Sequence, residues 1–504
     1  MQRSCHDPTV KSLHVDVLVI GAGLSGIDLA CRMTTMVPDH TFAILESREA
    51  SGGTWDLFRY PGIRSDSDMY TLSFPFRPWT HPRSIADGDS ILTYLRDTVA
   101  DYGIEDRIHY GQRVISASWS STTQQWSVRA ETEDGLVEHT ASFVYLATGY
   151  YDYDSGHVVD FPGRGDFAGE VVHPQFWPQD LDVNGKRIVV IGSGATAVTL
   201  VPALVEQGAA HVTMLQRSPT WMISLPGSDV VAKAAFGLLP PRVAHRVIRA
   251  KNVGFNVGSY QFARRFPKVA AAVLTKGVQR ALPTGYAVQP HFAPRYAPWD
   301  QRLCVVPDDD LFAAVSSGRA DIVTDTVERI EPHGIRTTGG EALDADVIVT
   351  ATGLRMTAAG KIHLDVDGEP VRINEGYVYK GLMLSDVPNL AWCVGYINNS
   401  WTLRADLSAK WTCRLLKHLR DNDLGTATPR YDPGPDADRE GTPIIDMSSG
   451  YIQRAADTLP RRGTRRPWVL KQNYVLDLLS MSTRRFDDGH LEFARSRTRA
   501  LTPQ

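Results

Sequence analysis

The first strong pattern along the chain is a short, β-branched apolar run, VDVLVI at 15–20, which predicts a buried parallel strand. It passes through Gly21-Ala22-Gly23-Leu24-Ser25-Gly26 into IDLACRM, whose apolar spacing is helical, and a second strand, TFAILE, follows. The same order returns downstream as RIVVIG, the turn Gly192-Ser193-Gly194-Ala195-Thr196-Ala197, a helical AVTLVPALVEQ and the strand HVTMLQRS. Between the two units the pattern changes. SILTYLRDTVADYG reads as an amphipathic helix, and VISASWSS and WSVRAETE alternate apolar with polar residues, predicting a small meander. FVYLATGYY and DADVIVTATGL are buried strands ending in Ala147-Thr148-Gly149 and Ala351-Thr352-Gly353. Residues 230–282 are rich in Ala and Val at helical spacing, and 429–443 reads as a Pro/Gly/acid-rich surface linker. No repeat is visible beyond the two strand–turn–helix units. The pattern is that of an α/β protein.

Strand, glycine turn and helix in that order form the context a dinucleotide needs. Gly21 permits the tight turn, Gly23 lets the backbone approach a pyrophosphate, and Gly26 lets helix and strand pack closely. The helix N-terminus offers unpaired N–H groups to phosphate. Glu46 lies twenty positions past Gly26, where a carboxylate can accept from ribose hydroxyls. In the second unit Ala197 still allows close packing, and Arg217-Ser218 stands at the corresponding strand end. An acid there would repel a 2′-phosphate, whereas a guanidinium binds it, which selects NADP(H) over NAD(H).

A chain of 504 residues predicts two or three domains, and 43% hydrophobic with 22% charged residues is ordinary globular composition. A formal net charge of -4 gives no global basic field for nucleic acid. Cys5, Cys31, Cys304, Cys393 and Cys413 are scattered without a Cys-x-x-Cys, which argues against a disulfide scaffold, a zinc site and a dithiol reductase. The N-terminus has no apolar core for a signal peptide, and no run approaches the ~18–20 residues of a membrane span. A soluble cytoplasmic protein is expected. Residues 230–282 carry ten Lys or Arg and no acid. Two readings stay open there: a helical insert whose basic face is solvated or covers the second nucleotide unit, and contact with an anionic membrane surface.

Phe167-x-Gly169-x-x-x-His173-x-x-x-Trp177-Pro178, set between the two glycine motifs, resembles the fingerprint of type I Baeyer–Villiger monooxygenases. Ordinary flavin-containing monooxygenases carry a similar string without the Trp-Pro ending. The loop Gly52-Gly53-Thr54-Trp55-Asp56-Leu57 and the string Arg59-Tyr-Pro-Gly-Ile-Arg64-Ser65-Asp66-Ser-Asp68-Met-Tyr70 resemble that family's flavin-proximal segment. The likeness runs over nearly the whole chain and is nearest to the family's ethionamide-activating group, departing mainly in 230–282 and at the C-terminus. The resemblance implies FAD and NADPH as cofactors. It implies FAD contacts through Gly21, Gly23, Ser25, Gly26, Glu46, Thr54 to Leu57, Arg64 to Asp66, Tyr70 and the Val114 backbone. On the NADPH side it implies Ser193 to Thr199 (Ser193, Gly194, Ala195, Thr196, Ala197, Val198, Thr199), Arg217 and Ser218. WDQRLC resembles the family's catalytic-arginine segment, which makes Arg302 the catalytic arginine and Asp66 its neighbour. Spacing alone also allows Arg302 to pair with Asp300 or with Asp308 to Asp310. Arg59, Arg64 and Asp68 could equally be charges of a packed loop.

The implied fold is α/β with two Rossmann-like dinucleotide-binding domains: FAD at 1–150 and 350–430, NADPH at 187–225 and 285–349. A linker occupies 151–186, a helical basic insert 226–284 and a C-terminal extension 431–504. The implied reaction uses NADPH and O₂ to convert a ketone to an ester through a flavin peroxide. Arg302 stabilises the anions, Asp66 holds Arg302, and His173 couples the domains. A flavin-containing S/N-oxygenase acting on thioethers or thioamides, and a non-catalytic FAD/NADP(H) redox-sensing module, are the alternatives.

Overall fold

A computed structural model describes residues 12–432, 434, 441–444, 449–483 and 485–497. Cys5, the N-terminal stretch and residues 433 and 435–440 of the linker at 429–443 lie outside these residues. The apolar run at the start forms a strand, His14–Ile20, buried along Val17–Ile20. It is the centre of a parallel core ordered Ile108–His109, Phe42–Leu45, His14–Ile20, Gly135–Leu146 and Leu390–Trp392. Such strands are apolar throughout because helices or a second layer cover both faces. Gly135–Leu146 is twelve residues long and joins the parallel and antiparallel parts of one sheet. Its second half pairs in parallel with the core, while its start pairs antiparallel with Gln125–Thr132, which pairs in turn with Arg113–Ser120.

The second core repeats this order in all-parallel form: Ala320–Thr324, His211–Gln216, Arg187–Ile191, Val347–Thr350 and Glu170–Val172. The outermost strand comes from the fingerprint string, so part of 151–186 is sheet edge and not linker. Two chain crossings connect the cores. The outgoing Tyr151–Gly156 pairs antiparallel with the returning Leu354–Met356, giving a two-stranded ribbon.

The insert leaves the second core by Met222–Leu225 and returns beside it in parallel as Cys304–Pro307. Between them lie three helices, Val230–Leu238, Pro241–Arg265 and Pro267–Ala281. The basic face is only partly solvated. Arg249 is buried, and its Nη1 donates to the carbonyls of Tyr70, Thr71 and Ser73 at 2.8–3.0 Å. Asn252 donates to Asp68 at 2.7 Å. The middle helix is therefore bolted to the first nucleotide unit, while Val278 and Leu282 of the third pack into the core of the second.

Candidate active site

The two cores turn the C-terminal ends of their strands into one cleft of about 600 Å³. Gly21 has φ +107°, and a Cβ on it would sit 2.7 Å from the Ala147 carbonyl oxygen. A Cβ on Gly26 would lie 2.0 Å from the carbonyl oxygen of Gly21, so only glycine lets the helix Leu24–Met36 start this close to its strand. The second turn is built alike: a Cβ on Gly192 would strike the Ala351 carbonyl, and Ala197 is fully buried in the third position. Gly194 is exposed with nothing within 4 Å of its would-be Cβ, which leaves a phosphate free approach to the N-terminus of Ala195–Glu206. Glu46 is buried beneath the first turn, accepting from the N–H of Ala22 at 2.7 Å and of Arg48 at 3.1 Å. Burial pushes its pKa up, and the two amide bonds oppose that shift. Two helix N-termini with backbone-only approaches and a carboxylate under the first fit a dinucleotide in each unit.

Arg302 lies two residues before the strand Cys304–Pro307, half-buried in the cleft, with its Nε 3.5 Å from Asp66 Oδ2. Three of the other acids that spacing offered have partners of their own. Asp300 pairs with Arg264 at 2.7 Å, Asp310 pairs with Arg64, and Asp308 accepts the Gly227 amide at 2.8 Å. Arg302 and Asp66, 236 residues apart in sequence, meet because the insert's return strand passes the flavin-proximal loop.

Ser25, Thr54, Trp55, Leu57, Arg64, Ser65, Val114, Ala195, Thr196 and Thr199 also line this cleft. Ser193, Arg217 and Ser218 are not among its lining residues; Ser193 Oγ donates to the Ser218 carbonyl at 2.9 Å and Arg217 is exposed. Val198 is buried in the helix core. Two residues expected at the cofactor are turned away from it. Asp56 is buried among Arg48, Arg59 and Arg96 at 2.6–2.8 Å, pairing with three guanidiniums behind the loop. Tyr70 is fully buried, donating to the His81 carbonyl at 3.1 Å and packing on Phe236. Arg59 accordingly serves the packed loop through Asp56, and Asp68 caps the helix Met69–Leu72.

In the fingerprint, Phe167 packs against the second core, and a Cβ on Gly169 would meet the Asp346 carbonyl and the Phe167 ring. Trp177 packs on that core from the other side, leading into Pro178. His173 lines the cleft, and its Nδ1 accepts the Gln175 amide at 3.2 Å. Its ring lies flat against Gly156 of the ribbon, where an added Cβ would sit 2.2 Å away. Burial holds its pKa below the usual imidazole range.

The FAD-containing monooxygenase EthA of Mycolicibacterium smegmatis is 49% identical over 484 residues, spanning 96% of this chain and 98% of that protein. This chain belongs to the FAD-containing monooxygenases. A flavin-binding monooxygenase-like family model matches residues 16–231 of this monooxygenase. Its fold is that of an oxidized steroid monooxygenase bound to NADP (TM-score 0.75, 19% identity, covering 96% of this chain and 100% of that one). It is also that of the OTEMO complex with FAD and NADP (TM-score 0.67, 22% identity, 83% and 88%).

Several residues of the monooxygenase's cleft went unmarked by motif. Trp401, at the start of the helix Trp401–Asp421, donates from Nε1 to Ser25 Oγ at 2.8 Å and stacks on Tyr150 with centroids 5.0 Å apart. Tyr60 bonds to Thr196 across the two units, and burial pushes its hydroxyl up to about 12. Tyr153 meets Thr54 at 3.3 Å. No motif marks these residues, since each depends on a partner far away in sequence.

Proposed function

We propose that this monooxygenase is of the Baeyer–Villiger type, using FAD, NADPH and O₂ to insert one oxygen atom beside a ketone carbonyl and give an ester. Oxygenation of thioethers or thioamides in the same cleft is its second outcome. The domain division follows: FAD on 1–150 and 350–430, NADPH on 187–225 and 285–349. The observation that carries the reading is the Arg302–Asp66 pair, set in the cleft between the two glycine turns.

Bound FAD supplies hydride acceptance and oxygen transfer, chemistry that no side chain offers. The chain's own residues do the rest. Arg302 is a fixed cation that stabilises negative charge developing on the carbonyl oxygen, a role worth about 10²–10³ in rate when the donor is preorganised. Asp66, paired with its Nε at 3.5 Å, holds the guanidinium in the cleft. Glu46 and the backbone of the first turn hold ribose and pyrophosphate, and Arg217 holds the 2′-phosphate. Trp401, Tyr150 and Leu72 wall the cleft with apolar surface and exclude water.

The test is product analysis with purified yellow protein, NADPH, ¹⁸O₂, a panel of linear, cyclic and aryl ketones and a thioether. One labelled oxygen in an ester is the expected result. Sulfoxide alone would establish the S-oxygenase reading, and substrate-independent hydrogen peroxide alone would favour a redox-sensing module.

A further inference from the structure

The insert has one anchored side and one bare side. On Pro241–Arg265 the inner positions are Ala244, His245, Ile248, Arg249 and Val253, all buried. The opposite stripe, at spacings of three and four, exposes Val243, Val247, Gly254 and Phe262. Eleven of the seventeen large apolar side chains exposed among the described residues fall between 230 and 273, with Val230 79% and Leu238 83% exposed. That concentration is far beyond the scattered singles of an ordinary surface. The C-terminal helix Tyr474–Met481 extends the patch, since Tyr474 packs beside Val253 and Val257 while Val475, Leu478 and Leu479 are exposed.

The same side is basic. Lys251 pairs with Asp229 and Arg264 with Asp300, and Arg249 is buried. The other seven cations of the insert, among them Lys233, Arg242, Arg246 and Lys268, are exposed and meet no carboxylate among the described residues. With ten cations and no acid, residues 230–282 contribute +10 to a chain whose net charge is -4, so the remainder carries -14. Such a charge separation turns the insert toward an anionic surface. A second copy meeting it face to face would place cation against cation.

We propose that the outer face of the insert, with the helix Tyr474–Met481, docks on an anionic lipid bilayer. The apolar side chains enter the boundary between headgroups and acyl chains, and the flanking cations meet lipid phosphates. No helix among the described residues is long and apolar enough to cross a membrane, so the contact is interfacial. The docking stands apart from the reaction, because none of these residues lines the cleft.

Flotation of the full-length FAD-loaded protein tests this. The probes are vesicles of phosphatidylcholine alone, or with one-third phosphatidylglycerol, at about 0.1 M and about 0.5 M salt. Co-flotation with the anionic vesicles only, largely lost at the higher salt, is expected. Arg242→Ala/Arg246→Ala/Lys268→Ala should lower the partition coefficient on the order of a hundredfold, and Val247→Ser/Phe262→Ser at least tenfold. Both variants should keep their flavin absorbance and NADPH oxidation in solution, which shows that they are folded. Wild-type protein left at the bottom with anionic vesicles, or variants floating as it does, would overturn the proposal. So would a dimer that Val247→Ser/Phe262→Ser dissociates in the absence of any vesicle binding, since the occupant would then be a second copy.

Discussion

At the scale of single residues the proposed chemistry rests on two arginines in different settings. Arg302 is held in the cleft by Asp66, so Arg302→Ala removes a cation that matters only as charge develops. Ester formation should fall by about 10²–10³, while NADPH oxidation by the bound flavin persists; gas chromatography of ester against absorbance loss at the NADPH band separates the two. Arg217 is exposed, and its proposed part is ground-state binding. Arg217→Ala should raise KM for NADPH by roughly ten- to a hundredfold, as expected for one charge-assisted bond to phosphate, and leave KM for NADH nearly unchanged. Steady-state kinetics with both coenzymes checks this; equal losses for the two would remove Arg217 from the 2′-phosphate. These positions were readable in sequence because each follows a glycine turn or a family string at a fixed offset. Asp56 was not, since its role is set by Arg96, forty residues away and brought near only by the fold.

At the scale of elements, strands with a clear period were legible and junctions were not. The meander and both strand–turn–helix units follow from alternation and apolar runs. The edge strand Glu170–Val172 is three residues long, too short to show a period, and its pairing with Val347–Thr350 depends on the second core already existing. The ribbon of Tyr151–Gly156 and Leu354–Met356 depends on the close seat of His173 against Gly156. Gly156→Ala should therefore cost about 1–3 kcal/mol through overpacking, and His173→Ala should recover much of that loss in the double variant, a coupling that urea denaturation measures. The insert adds a pH-sensitive joint. His245 is buried, with Nε2 3.1 Å from Ser73 Oγ, and burial with Arg249 nearby lowers its pKa to about 4. Above the ordinary value near 6.5 the ring is neutral whether folded or not. Between there and about 4 only the unfolded chain takes the proton, so stability falls as pH drops, by up to about 3 kcal/mol. Below 4 both states are protonated and the loss stops growing. His245→Asn should flatten that part of the stability curve, read as urea midpoints between pH 7 and pH 4.

At the scale of the whole molecule, catalysis requires the two nucleotide units to face each other in one arrangement, and three polar contacts across the cleft favour it. They are Tyr60 with Thr196, Asp66 with Arg302, and Arg64 with Asp310. The first half of each pair lies in one loop, residues 60–66, so that loop senses the position of the second unit through three separate elements. Arg64 and Asp310 are both only part-exposed, yet ion pairs in such a setting contribute about 0–1 kcal/mol to folding. Asp310→Asn keeps an oxygen for the Leu311 amide and removes only the charge opposite Arg64. Its thermal midpoint should barely move. Flavin reduction by NADPH, followed by stopped-flow absorbance, should slow by roughly tenfold, because a small misplacement of the nicotinamide is costly. Unchanged reduction with a lowered midpoint would make the pair a structural staple. Slowed reduction in a variant of native stability would mean that the loop at 60–66 sets the angle between the units, and that positions far from the reacting atoms tune the rate through it.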